Sequence, residues 1–78
     1  MKYVVFGAGL MGKAAAYDLL EQIDTDEVII TDINRKNLAE VKAFLNSDKL
    51  RTLRINIADT TKVTRLLSDA DAAIAAVH

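Results

Sequence analysis

Four short apolar runs alternate with three stretches of helical spacing, an order that predicts an α/β protein with a parallel sheet. Two further observations sharpen that fold class. The first run, Tyr3 to Phe6, is continuously apolar, as a strand covered on both faces of a parallel sheet must be. It leads directly into Gly7, Gly9 and Gly12, and Asp32 closes the second run 20 positions past Gly12. Right-handed crossovers then give the strand order 3-2-1-4, a truncated, Rossmann-like doubly wound sheet.

The elements follow in sequence order. Leu10 to about Gln22 form the first helix; Ala14, Ala15 and Ala16 allow it to approach the sheet closely, while Leu19, Leu20 and Ile23 fill the core beside it. Asp24 to Asp26 make a polar turn, and Glu27 to Thr31 the second strand. Asn34 or Asp32 caps a second helix over Arg35 to Leu45, with Leu38, Val41, Phe44 and Leu45 at helical spacing. The third strand runs from about Arg51 to Ile57. There Leu53, Ile55 and Ile57 alternate with Thr52, Arg54 and Asn56, a pattern that places it on the outside of the sheet with one face partly wet. Asp59 or Thr60 caps a short third helix through Val63, Leu66 and Leu67, and Asp71 to Val77 form the fourth strand.

Composition removes several classes of function. About half of the 78 residues are apolar, which fits a folded domain rather than a disordered segment. A net charge of −1 argues against nucleic acid or an anionic membrane as partner. The chain has no cysteine, which excludes disulfides, thiolate chemistry and cysteine-bound zinc and is in keeping with a cytoplasmic location. No signal-type segment precedes the first strand, and no apolar run is long enough to span a bilayer. Proline is absent and all three glycines lie in the motif, so no linker or domain boundary is visible.

Each part of the motif has a chemical task. Gly7 permits a tight turn off the strand, Gly9 lets the backbone approach a pyrophosphate, and Gly12 lets the helix pack closely. The helix start, including the N–H groups of Leu10 and Met11, faces phosphate with its positive dipole end, and the side chains of those two residues form core or crevice wall. Asp32 accepts hydrogen bonds from an adenosine ribose, and Ile33, Asn34 and Arg35 complete the loop around it. The acid favours NAD, because it would repel a 2′-phosphate; Arg35 in the same loop is able to grip that phosphate, so NADP stays open. Ala58 and Asp59 either lie beside the adenine ring or, for Asp59, only cap a helix. Ala75, Ala76 and Val77 line the path toward the nicotinamide ribose. Lys13 reads as a solvated helix residue, and His78 as incidental to the chemistry. No carboxylate pair, metal-ligand cluster or nucleophile–base set occurs, so catalytic residues are not assignable here.

The stretch from Tyr3 to Leu20, and most distinctively Ala14 to Asp18 after the third glycine, resembles the opening of saccharopine dehydrogenase-type proteins. Ile55 to Asp59 and Asp71 to Val77 are similar to that family's third and fourth strands. The resemblance implies the cofactor domain of an NAD(P)-dependent oxidoreductase of amino-acid metabolism. Its substrate would be a secondary amine formed from an amino acid and an oxo acid, with the substrate-binding and catalytic residues in a further, C-terminal domain. On this reading, residues 1–78 are the N-terminal dinucleotide-binding domain of a longer protein, since a doubly wound sheet continues past its fourth strand. The fourth strand would otherwise be a bare edge, and one sheet face would be thinly covered, which points to a homo-oligomer formed through either surface. Two other functions share these features. One is a regulatory nucleotide-binding module like those that gate potassium transport; the other is a structural half-domain with no function of its own.

Overall fold

The computed structural model describes residues 1–76, so Val77 and His78, the end of the expected fourth strand and the lone histidine, lie outside the described residues. Seven elements alternate along the chain: β1 (Lys2–Phe6), α1 (Leu10–Leu20), β2 (Glu27–Asp32), α2 (Arg35–Leu45), β3 (Leu50–Arg54), α3 (Thr60–Asp69) and β4 (Ala72–Ala75). The four strands form one parallel sheet in the order β3-β2-β1-β4, as the crossover rule requires. β1 is central, with Lys2 opposite Glu27 and Phe6 opposite Thr31 on one side, and Tyr3 opposite Ala72 and Phe6 opposite Ala75 on the other.

The strand period of two divides the sheet into two unlike faces. Val5, Val28 and Ile30 point into one core with Ala8, Ala16 and Leu19 around α1 and Leu38 and Val41 of α2. Val5, Val28 and Ile30 are fully enclosed there, each burial stabilising the fold by about 1.5–3 kcal/mol. Ala16 in the middle of α1 is likewise enclosed, so the small side chains do bring this helix close to the sheet. The reversed direction of the β3-to-β4 crossover puts α3 on the opposite face. Its cover is thin: no residue of α3 is fully buried, and a hollow of about 380 Å³ remains between it and the sheet, with Val4, Ile29 and Leu53 among its walls.

Several sequence expectations shift. α1 ends at Leu20 rather than near Gln22, closed by Glu21 N–H donating to Tyr17 O. The chain then turns on buried Thr25, whose hydroxyl donates to Leu19 O at 2.6 Å. Ile23, past the helix end, is fully exposed instead of filling the core. Phe44 also lies outside, 63 % exposed, because the buried stripe of α2 is carried by Leu38 and Val41. Its ring instead carries the Lys13 ammonium 4.5 Å from the centroid, so Lys13 reaches across to α2. β3 stops at Arg54, three residues short of Ile57, where an Asn56 turn takes over. In it Asn56 Oδ1 accepts from Ala58 N–H at 2.9 Å and Asn56 O from Asp59 N–H at 2.8 Å. α2 ends on Asn46 in the left-handed region, φ 42°, a cap supplied by Asn where glycine is absent.

No helix of the described residues is long and apolar enough to cross a membrane.

These burials make a direct contrast testable. Ile30→Ala should cost about 2–5 kcal/mol, a large share of the roughly 5–15 kcal/mol that holds a domain folded. Ile23→Ala, at a fully exposed site, should stay within about 0.5 kcal/mol of the parent. Urea unfolding of both variants reads the difference; equal midpoints would show that the core lies elsewhere.

Candidate dinucleotide-binding site

The site begins where β1 stops. Gly7 adopts φ 106°, a conformation that side-chain-bearing residues rarely tolerate, and its N–H donates to Thr31 O at 2.8 Å. Ala8 N–H donates to the Asp32 carboxylate at 2.9 Å. Gly9 is the N-cap of α1 in an extended conformation, and the first helical bond runs from Lys13 N–H to Gly9 O at 2.9 Å. The N–H groups of Leu10, Met11 and Gly12 therefore have no partner within the helix. No side chain caps this end and no acidic residue stands in the first turn, so its positive pole is not neutralised from within.

The three glycines do three different things. At Gly12 an added Cβ would fall 1.7 Å from Gly7 O, so only hydrogen fits between α1 and the turn beneath it. At Gly9 an added Cβ would meet nothing within 4 Å; the chain leaves open space there, beside the free helix amides. A phosphate-bearing ligand fits that combination of room and donors. Leu10 and Met11 expose their side chains along the opening instead of entering the core.

Asp32 joins this loop to the next. One carboxylate oxygen accepts from Ala8 N–H and, at 3.4 Å, from the Asn37 side-chain amide; the other accepts from Asn34 N–H at 2.9 Å. Burial disfavours its charge, but the N–H groups of Asn34 and Ala8 and the Asn37 amide outweigh that effect and hold the carboxyl below its ordinary range. Capping of α2 falls to Asn34, whose Oδ1 accepts from Lys36 N–H at 2.9 Å and Asn37 N–H at 3.2 Å. Asp32 thus gives most of its acceptor capacity to the protein. Ile33 is exposed on the same loop, and Arg35 is exposed at the start of α2.

At the carboxyl ends of β1, β2 and β3 lies a small hollow of about 110 Å³, walled by Phe6, Gly7, Thr31, Asp32, Ile33, Ile55, Asn56 and Ile57. Its apolar walls, with Asp32 at the rim, suit a flat heterocycle joined to a hydroxylated sugar. Ala58 and Asp59 do not line it. Asp59 caps α3, its Oδ1 accepting from Lys62 N–H at 3.2 Å. On the other side of β1, Ala76 N–H donates to Phe6 O at 2.7 Å and brings Ala75 and Ala76 alongside the glycine turn. The Ala76 Cβ lies 3.7 Å from the position a Gly12 Cβ would take. Sequence reasoning missed Asn56 and Ile57 as lining residues because it continued β3 through them. It also missed Arg54, whose Nε donates to Ile33 O at 2.9 Å; only the strand register, Asp32 opposite Arg54, brings these two segments together.

Two outcomes test this geometry. Gly9→Val should leave the helical circular dichroism intact and abolish dinucleotide binding by calorimetry, whereas Gly12→Ala should destabilise the fold itself by forcing α1 off the turn. The second concerns pH. A carboxyl whose pKa is depressed by folding adds stability above its ordinary pKa, and loses it as pH falls through the folded value. The stability gap between the parent chain and Asp32→Asn should therefore be widest near neutral pH and close on acidification. Urea unfolding across pH 2–7 (a range set by ordinary carboxyl titration, about pH 4) reads it; a constant gap would refute the assignment.

One family model, described as the saccharopine dehydrogenase NADP-binding domain, matches residues 3–77. No solved structure matches the chain. The family match runs from β1 past the end of β4 and includes the glycine turn, Asp32 and the Asn56 turn. The chain therefore belongs to the saccharopine dehydrogenase NADP-binding domain family, a description that supports a nicotinamide dinucleotide as cofactor.

Proposed function

We propose that this chain is the cofactor-binding domain of an NADP-dependent oxidoreductase of amino-acid metabolism, acting on a secondary amine formed from an amino acid and an oxo acid. The observation that carries the reading is the open space at Gly9 beside the unpaired amides of Leu10, Met11 and Gly12. Those amides hold the pyrophosphate, Asp32 faces the adenosine ribose, and Ile33 and Ile57 flank the base. Ala75 and Ala76, small and at the carboxyl end of β4, leave room for the nicotinamide ribose. When bound, the dinucleotide supplies hydride transfer at its nicotinamide ring. The residues that bind the amine and move its proton belong to a further domain, and the absence of cysteine suits work in the cytoplasm.

Asp32 alone argues for NAD. Three considerations favour NADP instead. The carboxylate is already held by three protein donors, which weakens it as a hook for ribose hydroxyls, and the family is described by its NADP binding. Arg35, Lys36 and Arg54 around the loop also outnumber the single acid. Calorimetric titration of the full chain should therefore give NADP at least tenfold tighter binding than NAD, about 1.4 kcal/mol. Equal affinities, or tighter NAD, would overturn the choice of cofactor.

A further inference from the structure

We infer that Arg54, at the end of β3, is the residue that selects the 2′-phosphate, rather than Arg35 at the start of α2. The inference rests on the proposed NADP reading. A 2′-phosphate is recognised best by a guanidinium, which offers a planar fork of donors to several oxygens. Arg35 is the first residue of α2, exposed, and makes no side-chain hydrogen bond among the described residues. Its fork must be ordered at the moment of binding, and ordering a long side chain costs affinity.

Arg54 is already placed. The register sets it beside Asp32 on the neighbouring strand, and its Nε donates to the carbonyl of Ile33, the residue that follows Asp32. That bond uses one of the guanidinium nitrogens and leaves the two terminal ones. No carboxylate of the described residues pairs with them; the ion pairs there are Met1 with Asp26 and Lys62 with Asp59. The side chain is exposed at the carboxyl edge of the sheet; it borders the hollow under α3, and its bond to Ile33 O holds the guanidinium beside the adenosine hollow that Ile33 and Asn56 help to wall. A pre-positioned, acid-free guanidinium tied to the loop that receives the ribose is what discrimination by a phosphate requires. A purely structural Arg54 would tie β3 to Ile33 and be indifferent to the ligand's 2′ position.

The test titrates NADP and NAD into the full chain and into Arg54→Gln, Arg54→Lys and Arg35→Gln, following chemical shifts so that weak binding is still read. Arg54→Gln should lower NADP affinity about tenfold with NAD affinity unchanged, Arg54→Lys should fall between, and Arg35→Gln should retain most of the preference. An unchanged NADP-to-NAD ratio in Arg54→Gln, with the parent still preferring NADP, overturns the inference alone. So does an equal loss for both cofactors. A parent chain that prefers NAD overturns the cofactor reading and the inference with it. Arg54→Lys keeps the test open if Arg54→Gln does not fold, since an undiminished preference in the lysine variant would itself exclude a role for the fork.

Discussion

The contact on which the rest of this structure depends is between two backbones. Gly12 lies against the carbonyl of Gly7, so close that one methyl group would overlap it. That approach seats α1 on the turn it has just left and aims its free amides into the opening at Gly9. It also fixes the height of the helix above the sheet. Ala16 and Leu19, one and two turns further along, then meet Val5, Val28 and Ile30. The glycine turn and the hydrophobic core are set by the same van der Waals limit, and for that reason neither can be adjusted without the other.

Asp32 plays the complementary part with charge. Its carboxylate gathers N–H groups from the glycine turn and from the loop before α2, two segments that share no sequence neighbourhood. Burial disfavours the charge of such a group, and the donors around it outweigh that effect and hold the carboxyl below its ordinary range. The acid is thus a brace between the glycine turn and the loop before α2.

The sheet order and the glycine turn were legible in the sequence because each rests on a local constraint. A continuous apolar run such as Tyr3 to Phe6 has few alternatives, and the glycine spacing carries its own steric reason. What the sequence concealed depended on where regular structure stops. Alternation in Leu53, Ile55 and Ile57 continues past the true end of β3, while the Asn56 turn that ends it competes through a single side-chain oxygen. Ile23 looked like core only if α1 kept going for another turn, and Phe44 only if its stripe were wider than Leu38 and Val41 make it. Arg54 was unreadable in principle, since its partner Ile33 is 21 residues away and is supplied by strand register.

The thin anchoring of α3 gives the domain an uneven stability. With no fully buried residue, this helix gains little from the sheet, whereas α1 and α2 share a closed core with it. Local opening free energies follow buried apolar contact, so α3 belongs to the low end of the scale and the central strands to the high end. The segment from Ile55 to Asp59 connects these two regimes. The wall of the small hollow beside Asp32 therefore joins a rigid strand on one side to a readily detached helix on the other, and a ligand that ordered this junction would give up part of its binding free energy in doing so.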